Sequence, residues 1–193
     1  VAQAFHNEMS PAMEVTAAEV RYPEQADGIA AILESVGTID RDAATFIEVD
    51  TERPIRDQIE SIDRHLREIG RTGGAKLRCG GLTADAFPDV DTVTQFMWEA
   101  SLTGLPFKAT AGLHQPIRHR DDELGVMRKG FLNLLVASVA CDAGEDMGTV
   151  HDIVGDDDRS SFAVSATAVR WRDLMLPGSA VRRSRHDGFI AYG

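Results

Sequence analysis

The feature that most constrains this fold is a strand followed by a helix, repeated at a nearly constant spacing. Three short runs have strand-like composition and are each followed by a turn signal and then a helical pattern: 45–49, 75–79 and 106–110. Lys76 lies 28 positions after Glu48, and Lys108 lies 32 positions after Lys76. Repeated strand–helix order predicts a parallel sheet. Because a (β/α)8 barrel has about 31 residues in each unit, the spacing favours a TIM-barrel-like α/β fold.

The helices of this pattern are visible as apolar residues spaced three and four positions apart. The clearest helix begins after Pro54, ends at Gly70, and carries one apolar face: Ile55, Ile59, Ile62, Leu66 and Ile69. Further helices are expected over about 89–104, 126–141 and 24–36. Further strands are expected over 19–21 and 189–192.

The length of the chain limits how much of a barrel it can form. Eight units at this spacing do not fit in 193 residues, so we predict a partial or incompletely observed barrel. We expect one barrel-like domain over 1–193, with an irregular insertion at about 147–188. The chain begins at Val1 without Met and ends directly after an apolar run, so we expect it to be a piece of a longer protein. A doubly wound sheet is the alternative, although no GxGxxG follows an early strand.

The charge balance excludes some classes of partner. Acidic residues number 31 and basic residues 20, which gives a formal net charge of -11. A uniformly acidic surface repels nucleic acid and anionic membranes, so we predict neither as a partner. The two cysteines, Cys79 and Cys141, form no CxxC pair, which argues against a disulfide scaffold and against a zinc site built on cysteine. No long apolar run or signal-peptide pattern occurs, so we expect a cytoplasmic protein.

Lysine is scarce, and two of the three lysines fall on predicted strands. Lys76 and Lys108 occupy similar positions in neighbouring strands, whereas the other basic residues apart from Lys129 are arginines. In parallel strand–helix folds the reactive groups gather where strands end and loops begin. The polar and glycine residues at these ends are Glu48 and Asp50, then Arg78, Gly80 and Gly81, then Thr110, Gly112 and His114.

Alternation along a strand predicts which of these side chains act together. Side chains two positions apart point the same way, so Lys76 pairs with Arg78 and Lys108 pairs with Thr110. Burying such cations costs several kcal/mol each unless carboxylates or ligand oxygens meet them. An interior cluster of this kind can depress the pKa of a lysine and make it a nucleophile or base. It can also bind a small anionic metabolite, and this is the partner we predict.

These arguments assign roles to individual residues. The glycines after the second and third strands let the backbone approach a ligand and donate N–H groups. We predict catalytic roles for Lys108, Glu48 and His114. We predict ligand-binding roles for Lys76, Arg78, Gly80, Gly81, Thr110, Gly112, Asp50 and Asn133.

Three alternatives remain open at this point. The lysines and Glu48 could form a purely structural ion-pair network, because such networks also perturb pKa values. His114 with Glu48 or Asp50 could form a metal site, with His119 and His6 as further candidates, although no HxH, HExxH or EF-hand spacing occurs. Asn133 lies on the most apolar helix and needs hydrogen-bond partners, in the loop 110–115 or on a ligand. Cys79 is expected to be a core residue.

Two segments carry a resemblance to a known family. The motifs KLRCGGLTADAFP at 76–88 and FKATAGLHQP at 107–116 resemble a bacterial protein family whose members have no assigned reaction. The likeness continues at 125–127, 130–133 and 171–174, and covers most of the chain after about Ala17. The resemblance implies longer relatives with additional N-terminal and C-terminal sequence. It also implies histidines at the positions of Gln115 and Lys129, and these departures argue against a histidine-based metal site.

A shorter likeness concerns the third strand. The run FKATAG at 107–112 is similar to the strand of deoxyribose-phosphate aldolases that holds the Schiff-base lysine. This resemblance implies that Lys108 is the imine-forming amine, with Lys76 or Arg78 as a neighbouring cation that lowers its pKa. It spans only a few residues, so it is an analogy of local structure.

Three functional hypotheses follow from the sequence. The first is a lyase or aldolase in which Lys108 is nucleophile or base and Glu48 or His114 shuttles the proton. The second is a non-catalytic ligand-binding or assembly protein, in which the exposed sheet edges of an incomplete barrel pair between subunits of a homo-oligomer. The third is a divalent-metal-dependent hydrolase or lyase. No organic cofactor is predicted.

Overall fold

A computed structural model describes residues 15–25 and 28–192. Its strands are β1 (Ala17–Arg21), β2 (Ala44–Glu48), β3 (Gly73–Arg78), β4 (Phe107–Thr110), β5 (His119–Asp121), β6 (Val126–Arg128), β7 (Phe162–Val164), β8 (Ala168–Trp171), β9 (Leu174–Pro177) and β10 (Phe189–Tyr192). Its α-helices are α1 (Gly28–Ile39), α2 (Ile55–Ile69), α3 (Val90–Thr103), α4 (Phe131–Ala143), α5 (Met147–Gly155) and α6 (Gly178–Asp187). The protein is therefore a mixed α/β structure.

One five-stranded parallel sheet organises the fold, in the order β1–β2–β3–β4–β10. The order runs across the sheet in one direction, without the reversal of a doubly wound fold. Because parallel crossovers are right-handed, a one-way order places the intervening helices on the same face of the sheet. The described strands do not close into a barrel.

The core lies between this sheet and its helices. Alternating strand residues such as Ile47, Leu77 and Ala109 are almost fully buried. They pack with apolar residues of α2, α3 and α4 in one continuous cluster. The residues between them on the strands are mainly polar, so the sheet has one apolar face and one charged face. Each buried Ile or Leu stabilises the fold by about 1.5–3 kcal/mol.

The predicted helices after Pro54 and Pro88 are confirmed, and local chemistry explains their ends. In α2 the N–H of Gly70 bonds the carbonyls of Arg67 and Leu66, which closes the helix at the predicted residue. In α3 the Asp89 carboxylate accepts a hydrogen bond from the Thr92 N–H at 2.7 Å. A carboxylate cap of this kind stabilises a helix start by about 1 kcal/mol.

The prediction of a helix over 126–141 is wrong in its first part. Val126–Arg128 is a strand that pairs antiparallel with β5, and α4 begins at Phe131. The apolar residues of β6 continue the spacing of those in α4, which is why the sequence predicts one helix. Gly125 adopts a left-handed conformation (φ 67°) that turns the chain into a hairpin. The helix predicted from Glu24 begins at Gly28, and residues 26 and 27 lie outside the described residues.

The segment 147–188 departs from the strand–helix repeat, in a form that the sequence only partly predicts. It contains α5, a short 3-10 helix, α6 and a three-stranded antiparallel sheet in the order β7–β8–β9. Within this segment β7 pairs with β8 as an antiparallel hairpin. Within the described part of the chain, no helix has the length and apolarity needed to cross a membrane.

Candidate functional site

Four side chains meet on the charged face of the main sheet, one from each of its first four strands. These are Glu19 on β1, Glu48 on β2, Lys76 on β3 and Lys108 on β4, and we call them the charged layer. Lys76 is directly opposite Glu48 on one side and Lys108 on the other in the strand register. Both lysines contact Glu19, so they lie on the same face of the sheet.

The ion pairs of the charged layer are unequal. The Nζ of Lys76 lies 2.8 Å from Glu19 Oε2 and 2.9 Å from Glu48 Oε2. The Nζ of Lys108 lies 3.5 Å from Glu19 Oε1. Lys76 therefore has two short carboxylate contacts, whereas Lys108 has one long contact and more freedom to meet a ligand.

The short contacts fix the charge of Lys76. Burial acts to lower the pKa of this ammonium, but its hydrogen bonds to Glu19 and Glu48 outweigh burial and raise the pKa above the usual lysine value. The hydrogen bond from Lys76 also lowers the pKa of Glu19. The expectation that the cluster depresses a lysine pKa is therefore wrong for Lys76, which stays an ammonium at neutral pH.

Lys108 has an additional contact with an aromatic ring. Its Nζ lies 4.2 Å from the centre of the Phe46 ring, and the Phe46 side chain is buried under this face of the sheet. A cation over an aromatic face is stabilised by about 0.5–2 kcal/mol. Only 17% of the Lys108 side chain is exposed. The amine therefore lies at the boundary between a ring and the open face.

A cleft of about 630 Å³ opens at the carboxyl ends of β1, β2 and β3. Its charged lining residues are Arg21, Glu48, Asp50, Glu52, Arg78, Asp85 and Asp89. Because Glu48 belongs to both, the cleft is continuous with the charged layer. Five carboxylates face two guanidinium groups, so the cleft as a whole is acidic.

The carboxylates at the rim already have local partners. Asp50 accepts a hydrogen bond from the Glu52 N–H at 3.0 Å, and Asp89 caps α3. A hydrogen bond from Thr83 is the main reason that the pKa of Asp85 lies below its usual value. By contrast, Arg78 donates only its Nε to a described residue, the Gly80 carbonyl, at 3.0 Å. Its terminal nitrogens therefore keep donors for a ligand.

The glycines after β3 and β4 approach a side chain rather than an open cavity. A methyl group on Gly80 would lie 2.8 Å from the Phe87 ring, and one on Gly112 would lie 3.4 Å from the same ring. A methyl group on Gly81 would lie 2.6 Å from Ala86. The Phe87 loop therefore occupies the space beside these glycines, where the sequence predicts that a ligand approaches the backbone. Thr110 lies beside Arg78 in the register.

Two further candidates lie apart from the charged layer. His114 is exposed in the loop after β4 and does not line the cleft. Asn133 is fully buried, and its amide oxygen accepts from the Arg118 N–H at 2.9 Å. Its amide nitrogen donates to the carbonyls of Ile153 and Asp156 at 2.8 and 2.7 Å. These bonds use the whole amide, so Asn133 ties α4 to the end of α5 rather than to the loop 110–115.

Sequence reasoning misses two residues. Glu19 joins both lysines, but it lies on an edge strand that the pattern marks only weakly. Lys129 is 3% exposed, and its Nζ donates to the Pro88 carbonyl at 2.8 Å. Burial and the nearby Arg118 charge lower the pKa of Lys129. Its position just before the N-terminus of a very apolar helix is the signal that could have identified it.

The metal hypothesis gains no support from the described geometry. Among residues 15–25 and 28–192, no three His, Cys, Asp or Glu side chains are grouped so that they could hold a metal ion. His6 lies outside the described residues. Cys79 is 1% exposed, as expected of a core residue, and burial raises the pKa of its thiol to about 12.

Comparison with known proteins gives no relative for this arrangement. No protein-family model, curated protein or solved structure matches the chain. The resemblances to a bacterial family and to deoxyribose-phosphate aldolases therefore stay predictions, and function has to be argued from the site.

Proposed function

We propose that the protein binds a small carboxylated or phosphorylated metabolite where the charged layer meets the cleft. The observation that carries this proposal is the unequal pairing of the two lysines. Lys76 is neutralised by two short carboxylate contacts, whereas Lys108 keeps a single contact of 3.5 Å. Lys108 and the terminal nitrogens of Arg78 therefore offer hydrogen-bond donors to an anion on the same face of the sheet.

The architecture supports this location. We propose that the parallel sheet is an arc of a (β/α) barrel, because its one-way strand order and its spacing of about 31 residues agree with that fold. In such folds ligands bind at the carboxyl ends of the strands. Arg78 and Thr110 lie opposite each other at those ends, and each is two residues after the lysine of its own strand.

Anion binding is tested by titration calorimetry with inorganic phosphate and pyruvate. We expect Lys108→Met to weaken binding about tenfold or more, which corresponds to about 1.4 kcal/mol. Lys108→Arg should retain most of the affinity if charge alone matters. Lys129→Met is the matched control, because it removes a lysine outside the layer. Unchanged affinity in Lys108→Met, or equal losses in both Lys→Met variants, would contradict the proposal.

A second candidate function is a lyase that uses Lys108 as an imine-forming amine. The observation that favours it is the single carboxylate contact of Lys108, at 3.5 Å, which a substrate carbonyl can displace to reach the amine. The Lys108 Nζ attacks the substrate carbonyl carbon, and the carbonyl oxygen leaves as water. Glu19 contacts the Lys108 Nζ at 3.5 Å and can move the proton, whereas Glu48 contacts Lys76 and His114 is exposed outside the cleft.

Borohydride trapping tests the imine directly. Borohydride adds hydride to the imine carbon and leaves a secondary amine whose added mass identifies the carbonyl compound. The chain has only three lysines, so peptide mapping assigns any adduct to Lys76, Lys108 or Lys129. We expect modification at Lys108 alone. No adduct with a broad panel of aldehydes and 2-oxo acids would exclude imine chemistry and leave the binding proposal intact.

A further inference from the structure

The charges of the cleft do not suit a ligand that is purely anionic. Five carboxylates and two guanidinium groups line it, so the cleft as a whole attracts cations and repels anions. Arg21, one of the two guanidinium groups, lies beside Glu48 in the register of β1 and β2. Arg78, the other, is on β3. An anion at Arg78 therefore lies among carboxylates, and a ligand that also carries a positive charge fits the cleft better.

Asp50 and Arg78 bring opposite charges to neighbouring segments of the chain in this cleft. Glu48 lies opposite Lys76 in the register of β2 and β3. The Val49 N–H donates to the Lys76 carbonyl at 2.9 Å, so the pairing continues past the end of β2. Asp50 and Arg78 are each two residues further along, and both line the cleft. Their backbones therefore run side by side at the carboxyl ends of the two strands.

These two charges do not neutralise each other. Within the described residues, the Arg78 guanidinium donates only to the Gly80 carbonyl, through Nε, at 3.0 Å. In the same part of the chain, the Asp50 carboxylate accepts only from the Glu52 N–H, which bonds Oδ1 at 3.0 Å. The terminal nitrogens of Arg78 and the Oδ2 atom of Asp50 therefore remain for a ligand that carries both an anionic and a cationic group.

A buried glutamine holds the backbone at Asp50 in place before a ligand arrives. Gln58 is 2% exposed, and its amide oxygen accepts from the Asp50 N–H at 2.8 Å. Its amide nitrogen donates to the Asp50 carbonyl at 2.8 Å and to the carbonyls of Arg53 and Pro54 at 3.3 Å. A loop that is already ordered loses little conformational entropy when a ligand binds. The loop after β2 therefore presents Asp50 from a fixed backbone.

We propose that the ligand is an α-amino acid, whose ammonium binds Asp50 and whose carboxylate binds Arg78. The inference rests on the proposed function, because Lys108 and Arg78 keep their role as donors to the anionic group. Neighbouring strands are about 4.8 Å apart, and an α-amino acid has its two charged groups close together on one carbon atom. Tyr22 and Phe87 also line the cleft and give the amino acid side chain an apolar surface.

Titration calorimetry of the wild type with matched pairs of ligands tests the ammonium. L-lactate, L-malate and L-phenyllactate carry a hydroxyl group where L-alanine, L-aspartate and L-phenylalanine carry the ammonium, so each pair isolates one group. We expect the amino acid of at least one pair to bind at least tenfold more tightly than its hydroxy acid. If no amino acid binds more tightly than its hydroxy acid, the inference is wrong. A loss of phosphate binding in Lys108→Met would then still support the proposed function.

The variant Asp50→Asn tests which residue binds the ammonium. It removes the charge but keeps the Oδ1 acceptor of the Glu52 N–H, so the loop retains this bond. We expect the amino acid to bind about tenfold more weakly, while phosphate binds equally or more tightly because a repelling carboxylate is lost. Asp173→Asn makes the same change at an exposed residue outside the cleft and should alter neither affinity. An unchanged amino acid affinity in Asp50→Asn, or an equal loss of phosphate affinity, would overturn the inference.

Discussion

Lys76 and Glu19 form a 2.8 Å ion pair between β3 and β1, two strands that are separated by β2. The contact passes across the sheet above Phe46, which is the register neighbour of Glu19. Together with the 2.9 Å contact to Glu48, it joins three strands through one ammonium group. Lys76 therefore stabilises the charged layer, and this role is separate from the ligand-binding role that we propose for Lys108.

Replacing Lys76 by Met should destabilise the protein. The Lys76 and Glu48 side chains are only 13% and 14% exposed, so the variant leaves a poorly solvated carboxylate without its partner. We expect the free energy of unfolding at pH 7 to fall by about 2 kcal/mol, less than for a fully buried pair. Urea unfolding measures this value. Lys108→Met, which removes only a 3.5 Å contact, is the comparison and should cost less.

The stability of the wild type should fall at both extremes of pH. The pKa of Glu19 lies below its usual 4.5, chiefly because of its hydrogen bond from Lys76. Its contribution is present above pH 4.5 and is lost as the pH falls through the folded-state pKa. The pKa of Lys76 is raised above 10.5, so the contribution of Lys76 is present below pH 10.5 and is lost as the pH rises through its folded-state value.

The variant Glu19→Gln tests the acid limb of this dependence. It removes one titrating carboxylate and should reduce the loss of stability below pH 4.5, to which Asp89 and Asp121, whose pKa values are also lowered, still contribute. The alkaline limb persists through Glu48 and Lys76. Urea unfolding over a pH series gives both limbs. An acid limb that is identical in the wild type and in Glu19→Gln would show that Glu19 does not titrate with folding.

The parallel strand–helix repeat and the matching positions of Lys76 and Lys108 in neighbouring strands could be predicted, because both follow from the spacing of residues along the chain. The helix after Pro54 and the strands around Lys76 and Lys108 follow from the spacing of apolar residues. The partner Glu19 could not be identified in the same way, because it reaches Lys76 across an intervening strand. The contact of Phe87 with Gly80 could not be predicted either, because it depends on how the loop after β3 folds back onto the sheet.

Replacing Lys129 by Met should raise the free energy of unfolding, whereas replacing Lys76 by Met should lower it. Burial and the Arg118 charge lower its pKa, and no described carboxylate forms an ion pair with it. A lysine with a lowered folded-state pKa destabilises the fold below that pKa, and the penalty disappears above pH 10.5. We expect Lys129→Met to raise the free energy of unfolding at pH 7 by about 1 kcal/mol, since a buried charge is often replaced favourably by an apolar side chain.

Lys129→Met and Lys76→Met make the same chemical change at two positions, so a difference between them reflects the surroundings of each lysine. Urea unfolding at pH 7 should show opposite signs, and the gain for Lys129→Met should shrink as the pH approaches 10.5. The lost hydrogen bond to the Pro88 carbonyl reduces this gain. A destabilisation of Lys129→Met as large as that of Lys76→Met would show that the hydrogen bond outweighs the cost of burying the ammonium.

Both cysteines should resist alkylation in the folded protein. Burial raises the pKa values of Cys79 and Cys141 to about 12, so the thiolate that reacts is rare at pH 8. Cys79 is 1% exposed and Cys141 is 9% exposed, which also blocks access of the reagent. Iodoacetamide labelling followed by mass spectrometry should show slow reaction in buffer and rapid reaction of both thiols in urea. Rapid labelling of Cys79 in buffer would mean that the end of β3 opens to the reagent, and would contradict the assignment of Cys79 to the core.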